Sequence, residues 1–362
     1  MMTTMTLNKN KVLLGLSGGV DSTTAALFLQ KKGFDVTGFY FEVIGDKSEG
    51  AEDAKKVADE LGIPLITFDA SKKFRDIVIE NFLSSYKIGK TPNPCVLCNP
   101  EIKFKLLLEH ADKIGAYYIA TGHYARIFHN LSTEKYFVQR GINEKKDQSY
   151  MLYRLGQDVL SRLIFPLGMS KDKGEVREIA YENHLSNAGK ADSQEICFLQ
   201  DDTDYINYIN EHGYSAPQGN FIDKNGNVLG THKGIHCYTI GQRKGLGIAL
   251  GKPVFVTNID PKTNNITLGG SDDLMKFEIH SYDNFFTETG SDSIPSTIGE
   301  NFSCYAKIRY ASQLAKAHVT KEQNNKLKIH FEQPQRAPSP GQSIVFYDRD
   351  IVIGGGYIDN SY

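Results

Sequence analysis

Between residues 11 and 29 the chain reads KVLLGLSGGVDSTTAALFL. An apolar run (Val12, Leu13, Leu14, Leu16) breaks into Ser17-Gly18-Gly19-Val20-Asp21-Ser22, after which Ala25, Ala26 and Leu29 recur at helical spacing. The pattern predicts a strand, a tight turn and a helix. Such a junction aims backbone N–H groups and the positive end of a helix dipole at one place, which suits an anion. Glycines let the main chain approach that anion closely. Ser17 and Ser22 add hydroxyl donors, and Asp21 can hold a Mg²⁺ that bridges phosphate oxygens. A lone Gly-Gly would be only a turn between two elements; the full six-residue motif at this junction favours an anion cradle.

The loop also lacks the lysine of a GxxxxGK[ST] loop, so nothing in it reaches a γ-phosphate. It resembles instead the PP-loop of the ATP pyrophosphatases, which split ATP between the α and β phosphates and transfer AMP to an oxygen. That resemblance implies that Ser17, Gly18, Gly19, Asp21 and Ser22 grip the departing pyrophosphate. It points to a nucleotide-activating enzyme rather than a kinase.

The first half of the chain alternates. Apolar strands are expected over 12–16, 36–41, 65–68 and 117–120, with helical patterns over 23–32, 51–61, 74–86 and 101–114, and a further helix over 173–184. This predicts an α/β fold, a doubly wound parallel sheet with the loop after its first strand. Beyond Asp204, turn residues crowd in. Lys224-Asn225-Gly226-Asn227 reads as a hairpin turn, and so does the stretch between 254–259 and 266–268. Short strands over 303–308, 317–319, 327–331, 343–346 and 351–358 predict a small C-terminal β-barrel. The expected domains are therefore 1–205, 206–275 and 276–362, in keeping with a length of 362 residues.

The first ten residues have no apolar signal core, and no later stretch is long enough for a membrane span. We therefore expect a cytoplasmic protein with no membrane partner, whose five cysteines are reduced rather than a disulfide scaffold. The net charge of −2 neither favours nor excludes nucleic acid. Residues 301–349, however, hold eight Lys/Arg against three acids. That excess fits a phosphate backbone or an ordinary solvated face equally well.

Cys95 and Cys98 lie in Thr91-Pro92-Asn93-Pro94-Cys95-Val96-Leu97-Cys98-Asn99-Pro100. The two X-Pro pairs predict a stiff extended loop, with Asn99 capping a following helix and Pro100 at its first position. Cys98 would then sit just outside a helix N-terminus, where the dipole favours thiolate. Neither a second CxxC nor a paired histidine motif completes a zinc site. Cys237 and Cys304 read as buried small hydrophobes. Cys197, in Asp192-Ser193-Gln194-Glu195-Ile196-Cys197-Phe198, is uninformative by itself.

In combination the motifs resemble the tRNA-specific 2-thiouridylases along nearly the whole chain. The loop and the TPNP segment are joined by Thr121-Gly122-His123-Tyr124-Ala125-Arg126, Lys146-Asp147-Gln148-Ser149-Tyr150, Asp192-Ser193-Gln194 with Ile196-Cys197-Phe198, Thr239-Ile240-Gly241-Gln242-Arg243-Lys244-Gly245-Leu246-Gly247, Arg309-Tyr310 and Pro340-Gly341-Gln342. The resemblance implies an ATP- and Mg²⁺-dependent adenylation of the wobble-uridine C2 oxygen in tRNA, then sulfur transfer. It implies a central tRNA-binding or adaptor domain. It makes Cys98 the nucleophile and Cys197 the persulfide carrier. It assigns ATP to Gly15, Leu16, Ser17, Gly18, Gly19, Val20, Asp21, Ser22, Phe41 and Gly122, and the target base to Asn93, Pro94 and Cys95. His123, Lys146, Asp147, Gln148, Arg309, Tyr310 and Gln342 would touch tRNA. A sulfur donor protein, such as a cysteine desulfurase or relay, is implied as partner.

One position departs from the family pattern, which commonly carries Asp where this chain has Cys95. Three thiols are then available, and three thiolates with one iron left open suit a [4Fe–4S] cluster on Cys95, Cys98 and Cys197. Persulfide and disulfide exchange is the alternative. Two other functions remain open at this stage: a small-molecule ligase of the same superfamily, and a tRNA-binding paralogue without chemistry.

Overall fold

A computed structural model describes residues 7–45, 49–190, 196–199, 204–214 and 216–359. Asp192, Ser193 and Gln194 lie outside the described residues. The chain forms two compact units, each assembled from separated stretches: 1–77, 95–198 and 350–353 in the first, and 78–94, 199–349 and 354–362 in the second.

The first unit is built on a five-stranded parallel sheet. Its strands are β1 (Asn8–Gly15), β2 (Asp35–Glu42), β3 (Leu65–Asp69), β4 (Ala116–Ala120) and β7 (Leu163–Ile164), in the order β3-β2-β1-β4-β7. Val12, Leu13 and Leu14 on β1 are fully buried, as a strand covered by helices on both faces requires. Helices α1 (Val20–Lys31) and α2 (Glu49–Leu61) follow β1 and β2. α1 is buried from Val20 through Leu27 except at Asp21, and again at Leu29. Helices α3 (Phe104–Ile114) and α4 (Lys173–Glu182) complete the unit. Val176 and Ala180 of α4 join the core formed by Ala25, Ala26 and Leu29 of α1. Because β1 pairs with β2 on one side and β4 on the other, the loop after β1 opens at the point where the winding reverses, the usual ligand crevice of such sheets. A hairpin of β5 (Ala125–Asn130) and β6 (Lys135–Arg140), not foreseen from the sequence, also belongs here.

The second unit carries a four-stranded sheet of β8 (Gly219–Ile222), β9 (Val228–His232), β10 (Phe255–Asp260) and β11 (Asn265–Gly269), ordered β10-β11-β8-β9. Both predicted hairpins form, β8 with β9 and β10 with β11. A closed barrel follows, of β12 (Met275–Phe286), β13 (Asn301–Lys307), β14 (Ala315–Lys321), β15 (Leu327–Arg336), β16 (Ser343–Asp348) and β17 (Ile351–Ile358). Pairing of Ser281 with Ile358 and of Tyr282 with Tyr357 closes it. Burial alternates along β13 and β14, as a filled small barrel demands.

The helix expected over 74–86 is broken. One turn, Ser71–Phe74, runs through a wide π-type turn, Arg75–Ile79, into the helix Glu80–Lys87. That last piece belongs to the second unit, where Tyr86 stacks on Tyr205 with ring centroids 5.0 Å apart.

Candidate active site

The loop after β1 makes the predicted tight turn from strand into helix. Gly18 takes φ +75°, and a Cβ there would lie 2.5 Å from the Cβ of Asp53, so only glycine fits. Gly19 caps α1 with no side-chain hydrogen bond, leaving the amides of the first turn for an external anion. Ser22 Oγ accepts from the Ser17 amide at 3.2 Å and donates to the Gly19 carbonyl at 3.0 Å. Thr23 Oγ1 donates to the same carbonyl at 2.9 Å. Asn187 Nδ2 donates to the Gly18 carbonyl at 2.7 Å and holds the outer limb. A loop tied by its own side chains needs little reordering when an anion enters.

Gly15 ends β1, Leu16 and Val20 are buried, and Ser17 is exposed. Phe41, near the end of β2, is half-buried with its ring 6.1 Å from Phe39. Gly122 lies against the loop, where a Cβ would meet the Ser22 amide nitrogen at 2.8 Å. The next two residues lead in two directions. Tyr124 Oη donates to Asp21 Oδ1 at 2.8 Å. His123 is buried, with Nδ1 2.7 Å from Thr121 Oγ1 and Nε2 3.5 Å from Lys103 Nζ. An ammonium only donates, so Nε2 accepts and Nδ1 carries the proton. Burial, reinforced by Lys103, holds the His123 pKa well below the ordinary value, so the ring is neutral.

The cysteine segment differs from the sequence reading. Pro94 starts a short helix, Pro94–Cys98, instead of ending an extended loop, because its fixed φ suits a first helical position and its missing N–H is no loss there. Asn99 is not a cap. It opens a wide turn, Asn99–Lys103, that leads into α3, and its side-chain amide donates to the Met151 carbonyl at 2.9 Å. A wide turn absorbs Pro100, which cannot supply a regular helical hydrogen bond.

Cys98 accordingly sits inside a helical run. Burial pushes its thiol up to about 12, against the thiolate expected at a helix start. The Lys103 ammonium and a hydrogen bond from the Lys103 backbone amide oppose that rise. Cys197 is exposed as a residue, yet desolvation of its thiol by the surrounding protein, with Cys95 beside it, pushes the thiol up to about 11, again opposed by Lys103. Phe198 anchors this residue from next door, its ring edge-on to Phe74 at 5.8 Å. Cys98 therefore lies within electrostatic reach of Cys95, Cys197 and Lys103, and Cys197 within reach of Cys95 and Lys103. The segment 121–124 links this thiol cluster to the phosphate cradle. Alkylation by iodoacetamide should hit Cys197 before Cys98. The Cys98 rate should rise about tenfold per pH unit from pH 7 to 10 without a plateau, since only its thiolate reacts; peptide mass spectrometry against pH checks this.

The cluster idea finds no support in this geometry. Among the described residues no three His, Cys, Asp or Glu side chains converge as a metal centre requires. Nothing in the geometry therefore supports an iron–sulfur cluster on Cys95, Cys98 and Cys197. The loop suits a nucleotide better, since its free first-turn amides would take phosphate oxygens and the Asp21 carboxylate would hold an accompanying Mg²⁺.

The residues expected at tRNA have other engagements. Asp147 is 3% exposed and accepts from the Gly141 and Ser149 amides and from Ser149 Oγ. Gln148 Oε1 accepts from the Tyr124 amide, and Lys146 is half-buried. In the second unit, the Gln342 side chain donates to the Thr91 carbonyl at 3.0 Å, just ahead of Asn93 and Pro94. Arg309 donates to the Arg336 carbonyl, and Tyr310 is exposed beneath Lys307 Nζ. Of the basic stretch, Lys321, Lys326 and Lys328 pair with Glu300, Asp359 and Glu278, acids outside the window that made it look basic. Sequence reasoning missed Lys103, Tyr124, Lys173 and Asn187. Only the position of Lys103, five residues beyond Cys98, hints at its contact, and only once a wide turn is known.

Comparison with known proteins agrees with this architecture. Residues 10–201 match the family described as tRNA methyl transferase HUP domain, 206–270 the tRNA methyl transferase PRC-barrel domain, and 286–358 the aminomethyltransferase beta-barrel domain. The chain is 44% identical over 369 residues to the tRNA-specific 2-thiouridylase MnmA of Clostridioides difficile (strain 630), covering 99% of this chain and 100% of that one. It is 45% identical over 364 residues to tRNA-specific 2-thiouridylase MnmA 2 of Thermoanaerobacter sp. (strain X514), covering 97% and 98%. The solved NMN synthetase of Francisella tularensis is similar only distantly, at 17% identity and a TM-score of 0.33 over 51% of this chain and 67% of that one, and carries no argument.

Proposed function

Because the chain belongs to the tRNA-specific 2-thiouridylase family, we propose that it adenylates the C2 oxygen of the wobble uridine in tRNA and replaces it with sulfur. The observation that carries this reading is the short path between cradle and thiols: Asp21 to Tyr124, then His123, Lys103 and Cys98.

The C2 carbonyl is a poor electrophile and oxide a poor leaving group. Attack of its oxygen on the α-phosphorus of ATP forms a P–O bond and breaks the bond to the β-phosphate. The amides of the α1 first turn and the Ser17 and Ser22 hydroxyls receive the charge that leaves with pyrophosphate. Asp21 would hold Mg²⁺, which neutralises phosphate charge when bound. The terminal sulfur of a Cys197 persulfide then attacks C2 and AMP departs. Cys98 attacks Cys197 Sγ, giving a disulfide and freeing the thiolated base, and a thiol reductant restores both cysteines. Lys103, coupled to both sulfurs, stabilises each thiolate as it forms.

A flipped wobble base costs little in a single-stranded anticodon loop, and Asn93, Pro94 and Cys95 would face it. His123, Lys146, Asp147, Gln148, Arg309, Tyr310 and Gln342 are proposed for tRNA, directly or by shaping the segments that carry them. A cysteine desulfurase or relay protein would load Cys197 in a reducing cytoplasm. Among the described residues no helix is long and apolar enough to cross a membrane. Mass spectrometry of wobble nucleosides from cells lacking the gene should show 2-thiouridine derivatives lost and restored by re-expression. Unchanged nucleosides would overturn the proposal.

A further inference from the structure

A loop without a lysine must still hold a polyphosphate carrying several negative charges, and the structure brings a cation to it from elsewhere. Lys173 opens α4, whose start is fixed by Asp172 Oδ1 accepting from the Glu175 amide at 2.9 Å. Packing of Val176 and Ala180 into the core shared with α1, and a 3.3 Å hydrogen bond from Thr24 Oγ1 to the Val176 carbonyl, seat this helix beside the loop. Lys173 Nζ lies 3.2 Å from Asp21 Oδ2, with only 14% of its side chain exposed. Tyr124 holds the other Asp21 oxygen. A second lysine near the loop, Lys190, pairs instead with Asp53 and is half exposed.

We infer that Lys173 is the phosphate-binding cation of this site: Asp21 holds it at the mouth of the cradle, and it passes to the polyphosphate when ATP binds. The inference rests on the adenylating reading of the loop and names a residue for it. Two acceptors compete for one ammonium. A polyphosphate oxygen, more highly charged than a carboxylate, outbids Asp21 and leaves that group able to take Mg²⁺. Lys173 then neutralises charge on the departing pyrophosphate, the role that a loop lysine fills in other nucleotide sites.

The test is calorimetric binding of the non-cleavable analogue α,β-methylene-ATP with Mg²⁺ to the full chain. Lys173→Met should weaken binding at least tenfold, Lys173→Arg less than threefold, and Lys190→Met less than threefold. The double variant Asp21→Asn/Lys173→Met should bind no better than Lys173→Met, because the missing charge is what matters and not an unmasked Asp21. Binding by Lys173→Met within threefold of wild type, equal losses in the Lys173 and Lys190 variants, or recovery in the double variant would each overturn the inference. Lys173→Arg, which keeps charge and length, tests it even if the Met variant melts early. A wild-type chain that binds no nucleotide is a different result and would sink the adenylating reading itself.

Discussion

A Cys197→Ser protein given tRNA and ATP should release pyrophosphate in its first turnover at a rate within about threefold of wild type, yet form no 2-thiouridine. The two halves of the reaction use different atoms. In the proposed reaction, expulsion of pyrophosphate depends on the amides and hydroxyls of the loop, tied among themselves by Ser17, Gly19, Ser22 and Thr23. None of those contacts involves Cys197. Under the proposed mechanism sulfur delivery, by contrast, has no substitute carrier once Cys197 is gone, since a hydroxyl forms no persulfide. Coupled pyrophosphate release alongside nucleoside mass spectrometry reads both. Simultaneous loss of the two products would mean that Cys197 organises the nucleotide site, contrary to the separation drawn above.

Asp21→Ala should give the mirror image. Pyrophosphate release should fall by about 10²-fold or more, the scale on which transition-state charge stabilisation is lost when one preorganised group is removed. Loading of Cys197 with sulfur by a cysteine desulfurase should persist. The magnitude follows from what the carboxylate organises, because Lys173 and Tyr124 both converge on it and in the proposed reaction it would also hold the metal. Gel-shift trapping of the Cys197 persulfide, paired with the pyrophosphate assay, measures both quantities. A persulfide lost together with pyrophosphate release would point to a collapsed first unit.

Much of this was legible because local chemistry and global fold agree at the loop. Val12 to Leu14 had to be a covered strand, and Gly18 had to be glycine at its φ of +75°. Hairpin turns around Gly226 and Asn264 were legible for the same reason, since few residues accept positive φ. The failures share a cause in burial and long-range packing. No local pattern shows that Cys98 is desolvated instead of sitting at a helix mouth, because the helix-breaking Pro100 is accommodated by a wide turn. Lys173 is 152 residues from Asp21, and nothing in its surroundings marks it as a nucleotide residue. The basic barrel likewise was partly a windowing effect, with neutralising acids lying just outside the span counted.

The short stretch 350–353 counts with the first unit although the residues on either side of it count with the second. Asp350 there accepts from Arg126 Nη2 at 2.9 Å and from Gln139 Nε2 at 2.8 Å, and its carbonyl accepts from the Arg140 amide. The β5–β6 hairpin is therefore held by a residue 224 positions beyond Arg126, so its order rests on a long-range contact and not on its own turn alone.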